Sequence, residues 1–199
     1  IEPVRDYPTG SLTANIIGYL GPISASQQTA YEERGFVTNR DKIGYAGVET
    51  SMDDILLGKN GLRVIQEDVA GEELRNLEPP IPPTPGYNVT LTIDTRLQKV
   101  AEASLIDEIN FWNTRLEAAR RISSGVVIAM NPKTGEILAM VSYPTYENNR
   151  LARFIPGYYY NQLAQDPRRP LVNNAISAEL APGSTFKLST ATGALNEGV

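Results

Sequence analysis

At 199 residues, with 41% apolar and 21% charged residues, the chain has room for one sizeable domain or two small ones and the composition of an ordinary folded protein. A net charge of −5, with lysines and arginines scattered apart from Arg120-Arg121 and Arg168-Arg169, argues against a nucleic-acid surface. With no cysteine and no histidine, thiol nucleophiles, disulfides, zinc–thiolate sites and histidine-based triads are excluded, no metal or cofactor is implied, and a serine enzyme needs another base, lysine foremost.

Nowhere does the sequence run to about 18 consecutive apolar residues, and the opening Ile1-Glu2-Pro3 is not a signal peptide. Lacking an initiator methionine, the chain reads as an excised piece whose anchoring or targeting segment would lie upstream. The lack of cysteine fits an extracytoplasmic location.

Residues 4–23 open with turn-rich Arg5-Asp6-Tyr7-Pro8-Thr9-Gly10. Glycine-punctuated apolar residues from Thr13 to Gly21 then predict a helical turn leading into a strand. Residues 24–39 turn polar and predict a surface excursion. At 51–58, Ser51 and Asp54 fit a capping box and Gly58 a helix stop, which predicts a short helix. The adjacent carboxylates Asp53 and Asp54 read as structural, because neighbours on a helix point apart and first-turn acids suit the helix dipole. Residues 62–69 alternate weakly, as a half-exposed strand does.

Five prolines crowd Pro79-Pro80-Ile81-Pro82-Pro83-Thr84-Pro85, a stretch expected to join neither a sheet ladder nor a helix. Residues 78–86 are therefore predicted to be an extended connector, dividing the chain into 1–85 and 86–199. Beyond it, residues 87–93 alternate as a strand, and Asp94 suits the N-cap of a helix with Leu97, Ala101, Leu105 and Ile109 as its apolar stripe. Gly125 to Met130, a turn at Asn131-Pro132-Lys133-Thr134-Gly135, and Glu136 to Ser142 predict a β-hairpin of two largely buried strands. Residues 143–174 look long and irregular, either a cleft wall or a cover for the core.

Pro182-Gly183-Ser184-Thr185-Phe186-Lys187 then precedes an apolar-periodic helix. Serine and lysine three apart share a helix face, about one turn apart, and Pro182-Gly183 places Ser184 at the helix start, where unpaired N–H groups favour a developing oxyanion. A serine needs a base. A lysine serves when burial or nearby positive charge keeps it neutral, and Phe186 with the following apolar residues could supply that setting. The alternative is that Ser184 caps a helix and Lys187 is a solvated lysine, which for a bare S-x-x-K is the better explanation.

Six motifs change that balance. The ordered set Arg5-x-Tyr7-Pro8, Gly44-x-x-Gly47-Val48-Glu49, Gly58-x-x-Gly61, Leu91-Thr92-Ile93-Asp94-x-x-Leu97-Gln98, Asn131-Pro132-x-Thr134-Gly135-Glu136-Ile137-x-Ala139-Met140-Val141-Ser142-x-Pro144 and Pro182-Gly183-Ser184-Thr185-Phe186-Lys187 resembles a class B penicillin-binding protein over nearly the whole chain. The form of residues 53–61 is more similar to the cell-elongation type than to the division type. The resemblance implies an α+β fold: an elongated pedestal, residues 1–85, followed by the N-terminal part of a serine D,D-transpeptidase domain. It also implies that Ser184 is the nucleophile and the acylation site for β-lactams, and that Lys187 is its general base. The implied partners are peptidoglycan stem peptides and, through the pedestal, a membrane-embedded glycan polymerase and cell-shape scaffold proteins.

Two departures stand out. Many relatives carry arginine where this chain has Asn174, so an anchoring role of that arginine is lost or moved. The family also uses an S-x-N and a K-T/S-G motif after the serine, and neither follows Ser184 before Val199. Lys133-Thr134-Gly135 spells K-T-G but precedes the nucleophile in a hairpin turn. The expectations that follow are an inactive fragment with an open sheet edge, either partly disordered beyond about residue 145 or stabilised by a second copy. A serine β-lactamase or β-lactam sensor, and a non-catalytic pedestal that docks a membrane partner, are the alternative readings.

Overall fold

The computed structural model describes residues 5–152, 154–179 and 181–198, and it is a mixed helix and sheet structure. A 3₁₀ turn, Gly10–Thr13, runs into the one-turn helix α1 (Ala14–Ile17) and then strand β1 (Leu20–Pro22). Strand β1 pairs antiparallel with β2 (Lys42–Gly44), Leu20 opposite Gly44. Between them the short helix α2 (Gln28–Glu32) sits on the surface, and Phe36 returns to pack with Ile23 and Ile43 against Tyr31 and Leu57.

Helices α3 (Gly47–Ser51) and α4 (Asp53–Leu56) follow. Helix α3 lies against α1 because Gly47 combines a φ of +56° with an approach that puts any added Cβ 2.3 Å from the Ile16 carbonyl oxygen. The expected capping box does not form. Ser51 belongs to α3 and its hydroxyl donates to Gly47 O (3.0 Å), while α4 starts without a side-chain cap. Gly58 follows the Leu57 C-cap of α4 but lacks the left-handed φ of a helix-stop glycine; a Cβ there would stand 2.2 Å from Thr84 O, so it permits a close backbone crossing.

That crossing corrects the expectation for the proline stretch. Lys59 and Thr84 exchange N–H···O bonds (2.7 and 2.9 Å), as do Leu62 and Ile81 (3.0 and 2.8 Å). Ile81 and Thr84 are the two non-proline residues of the run, and they supply the N–H groups that their neighbours lack. Residues 78–86 are thus fastened along residues 59–62. Strand β3 (Ile65–Glu67) lies within the predicted 62–69 strand and pairs with β4 (Glu73–Asn76), which is exposed at every position and offers no apolar period to read. The predicted strand at 87–93 does not form; the segment is held where Tyr87 N–H donates to Ile55 O (2.9 Å) and the Thr92 hydroxyl to Ile137 O (2.6 Å), and just after it Asp94 N–H donates to Leu138 O (2.9 Å).

Helix α5 (Thr95–Asn113) is capped by Asp94, whose carboxylate accepts from the N–H groups of Arg96 and Leu97, and this holds its pKa below the ordinary aspartate value. The helix packs on the antiparallel hairpin β5 (Gly125–Met130) and β6 (Ile137–Tyr143). Leu97 lies outside its contact face, because Gln98 takes the inner position at 2% exposure. Strand β6 carries the buried residues Ala139, Val141 and Ser142; β5 is only half-buried, since among the described residues no further strand lies on its other edge.

Residues 143–174 are less irregular than expected, and they cover the core. A 3₁₀ turn (Asn148–Leu151), helix α6 (Gly157–Gln165) and the short α7 (Asn174–Ser177) follow the cis Tyr143–Pro144 peptide. Tyr146, Leu151, Tyr159 and Leu163 form the main buried cluster with Ala14 and Tyr19 of the N-terminal region. Residues 146–163, the first part of the stretch expected to be disordered or to need a second copy, pack against Ala14 and Tyr19 of the same chain.

Backbone carbonyls carry much of this junction. Tyr7 O, Ser11 O, Leu12 O, Ala14 O, Asn15 O and Gly18 O accept side-chain hydrogen bonds from Asn149, Thr145, Gln98, Tyr146, Asn173 and Asn148, respectively, at 2.8–3.2 Å. A one-turn helix and the turns around it leave carbonyl lone pairs free, and side chains from α5 (Gln98) and from the segments after β6 donate to them. Asn149 also accepts the Tyr7 N–H (2.9 Å), and Gln98 both donates to Met140 O (2.8 Å) and accepts from Met140 N–H (2.7 Å). Glu49, 4% exposed, closes the same region through a two-pronged pair with Arg5 (2.8 and 3.0 Å) and a bond from the Tyr7 hydroxyl (3.4 Å).

Candidate active site

Gly183, at φ +54°, begins a 3₁₀ turn (Gly183–Phe186) that continues as helix α8 (Lys187–Glu197). The turn is reinforced by the Thr185 hydroxyl, which donates to Pro182 O. Lys187 N–H donates to Ser184 O, so the two residues stand one turn apart on one face, as the spacing predicts. Helix α8 ends where Gly198 takes the left-handed conformation and its N–H reaches Ala194 O and Leu195 O.

The turn sets Ser184 and Lys187 near one another but does not enclose them. Ser184 and Lys187 are both exposed, and among the described residues neither side chain has a hydrogen-bond partner. Phe186 does not provide the apolar setting expected of it, being 58% exposed and turned away from any wall. Leu188 and Leu195, one heptad apart, lie on a common face at 78% and 80% exposure, so the helix carries an apolar stripe with nothing upon it among the described residues.

The remaining sequence-stated candidates have structural settings. Asp53 accepts from Gly44 N–H (2.8 Å) and the Tyr31 hydroxyl (2.6 Å), while Asp54 pairs with Arg34 (2.9 Å). Lys133-Thr134-Gly135 sits in the β5–β6 turn with Gly135 at φ +78°, remote in sequence and in role from Ser184. Asn174 uses its backbone N–H to bond Ser142 Oγ (2.9 Å). Among the described residues no cluster of three or more acidic side chains is close enough to share a metal ion. A small concavity lined by Ser11, Asn15, Gln98, Glu102, Ser142 and Thr145 lies at the junction with the N-terminal region; burial lifts the Glu102 carboxyl above the ordinary glutamate range.

Gln98, Asn148, Asn149 and Asn173 are the residues whose structural roles sequence reasoning missed. Their acceptors are main-chain carbonyls, which have no residue identity, so the only signal was the place of Gln98 in the Leu97-Gln98 motif.

The comparisons with known proteins bear on what this site belongs to. Residues 1–91 match the family model of the penicillin-binding protein dimerisation domain, and residues 125–199 that of the penicillin-binding protein transpeptidase domain. A curated relative, the peptidoglycan D,D-transpeptidase MrdA of Acinetobacter baumannii, is 34% identical over 198 residues, covering 100% of this chain and 27% of the relative. Among solved structures, a chain from "Structural coordination of polymerization and crosslinking by a peptidoglycan synthase complex" superposes with a TM-score of 0.79 at 35% identity, covering 98% of this chain and 33% of that one. The complex between penicillin-binding protein PBP2 and MreC from Helicobacter pylori contains another similar chain, with a TM-score of 0.73, 28% identity, and coverage of 97% and 32%. The chain spans 27% to 29% of the length of such curated relatives. With both family domains matched in order, the S-x-x-K turn at the head of α8 and relatives alike along the whole chain, this protein belongs to the class B penicillin-binding proteins.

Proposed function

We propose that the protein of which these residues are part is a peptidoglycan D,D-transpeptidase working through an acyl-serine intermediate. The observation that carries this is that Ser184 and Lys187 stand one turn apart where the 3₁₀ turn runs into α8, in a chain with no histidine or cysteine to act instead. Lys187 takes the Ser184 proton as Oγ attacks the carbonyl of the penultimate D-alanine of a stem peptide, and D-alanine leaves with a proton on its amine. An amine of a neighbouring strand then attacks the ester and frees the serine. A β-lactam follows the first step: its ring amide opens, and the acyl group stays on Ser184. In this reading the Ser184 N–H, at the helix start, donates to the developing oxyanion. The location is extracytoplasmic, with membrane attachment through residues other than these; among the described residues no helix is long and apolar enough to cross a membrane.

The 199 residues alone acylate slowly or not at all, because an exposed Lys187 lacks the water-poor surroundings that a lysine base requires. Intact-mass measurement after incubation with a penicillin tests both statements. The full-length protein gains one adduct, lost in Ser184→Ala, and the 199-residue chain gains none; labelling of full-length Ser184→Ala at the wild-type level would remove the assignment. Rapid release of the acyl group would favour the β-lactamase reading.

Docking of a membrane-embedded glycan polymerase or a cell-shape scaffold through the pedestal is compatible with this. Leu62, Leu74, Leu77 and Ile81, on and beside the β3–β4 arm, are all more than half exposed, and the similar PBP2 chain was solved in complex with MreC.

A further inference from the structure

Just before the chain leaves for Ser184, residues 172–175 are fixed to two different parts of the molecule. Asn173 Nδ2 donates to Asn15 O (3.0 Å), a carbonyl of α1, and its Oδ1 accepts the Ala175 N–H (3.0 Å) as the N-cap of α7. Its Nδ2 also lies 3.8 Å from Met140 Sδ. The next residue's N–H donates to Ser142 Oγ (2.9 Å) on β6, and the Ser142 hydroxyl donates to Val172 O (3.4 Å). Past α7, among the described residues, the side-chain hydrogen bonds are local: Thr185 to Pro182, Thr190 to Phe186, Thr192 to Leu188. Among the described residues, this is the last anchor before the nucleophile.

We propose that Asn173 is a positioning residue for Ser184, tying the placement of the nucleophile to that of the N-terminal region; this rests on the reading of Ser184 as nucleophile. Both ends of its amide are used. The carbonyl end starts α7, and the amino end sets where that start lies relative to α1. The two functions separate chemically: aspartate keeps the cap oxygen but loses the donor and sets a carboxylate against Asn15 O, whereas alanine loses both. Asn174 contributes its backbone N–H to this anchor.

The test is the acylation rate of the full-length protein by a fluorescent penicillin, expressed per folded molecule, alongside the thermal midpoint. Asn173→Asp slows acylation about tenfold or more, since a nucleophile displaced by an ångström loses rate steeply. Ser142→Ala, which strips the Asn174 N–H of its acceptor, slows it in the same sense and serves if Asn173→Asp does not fold. Asn149→Ala breaks the Tyr7 contacts of the same junction without touching residues 172–175, so it lowers the thermal midpoint and leaves the rate unchanged. Wild-type rates in Asn173→Asp or Ser142→Ala, or equal slowing in Asn149→Ala, overturn the proposal. Ser184→Ala, run alongside, separates the two readings: retained labelling there removes the nucleophile assignment itself, while lost labelling with normal Asn173→Asp rates removes only the coupling.

Discussion

The junction between residues 7–18 and 140–173 and the helix α8 share a chain and almost nothing else. At the junction, aromatic rings from both sides are buried together, and six main-chain carbonyls are each met by a donor. On α8 the apolar side chains face outward and the two residues of chemical interest stand unpartnered among the described residues. The junction buries its apolar surface and pairs most of its polar groups; α8 has a well-formed start and stop and, among the described residues, its apolar side chains pack on nothing. Capping and turn chemistry can shape a helix, but burial of its apolar face supplies most of its stability. The difference locates the chain's stability in the junction and leaves Ser184 and Lys187 without an enclosing surface among the described residues.

The largest expected effects lie in the junction. Leu151, at 0% exposure among Ala14, Tyr146 and Tyr159, loses about 3 kcal/mol on substitution by alanine, whereas Leu195→Ala stays within about 0.5 kcal/mol. Urea unfolding of the 199-residue chain measures both, and equal losses would erase the contrast. Gln98→Leu is smaller but still costly, about 2 kcal/mol, because Leu12 O, Met140 O and Met140 N–H all lose a partner while the volume is kept. Glu49→Gln follows at about 1–2 kcal/mol, the amide retaining the shape but not the charge that Arg5 needs; the half-exposed guanidinium keeps this below the cost of a fully buried pair.

The smallest effect is a pH dependence. Burial, with smaller contributions from neighbouring Tyr160 and Tyr45, raises Tyr19 to about 12, and burial with the bond to Asp53 raises Tyr31 to about 12; burial raises Tyr7 and Tyr146 further. A raised folded pKa means that the stabilising contribution is complete below the unfolded value of 10.0 and is lost as the pH climbs towards the folded one. The thermal midpoint should therefore fall between about pH 9 and about pH 11. It should fall less in Tyr19→Phe, which has no hydroxyl to ionise. An unchanged midpoint across that range would mean the tyrosines are not held as described.

Local patterns in the sequence carried the regular elements. The Asp94 cap, the length of α5, the β5–β6 hairpin and the turn into α8 are all set by period, cap or glycine, and they form where expected. Errors arose where a tertiary neighbour decided the outcome. Gly58 looks like a stop until Thr84 is found against it, and the proline run looks unpairable until its two N–H groups are counted. Leu97 looks like core until Gln98 is seen reaching three main-chain groups. At the candidate site the spacing of Ser184 and Lys187 was readable, but what surrounds them was not, since enclosure is a property of distant segments.

Amide hydrogen exchange on the 199-residue chain tests this division most directly. Peptides covering residues 98–109 and 137–146 are predicted to exchange slowly, and those covering 187–197 nearly as fast as unstructured chain. Protection of residues 187–197 equal to that of α5 would contradict the account, because it would mean that α8 is already covered and that Ser184 and Lys187 are enclosed within these residues alone.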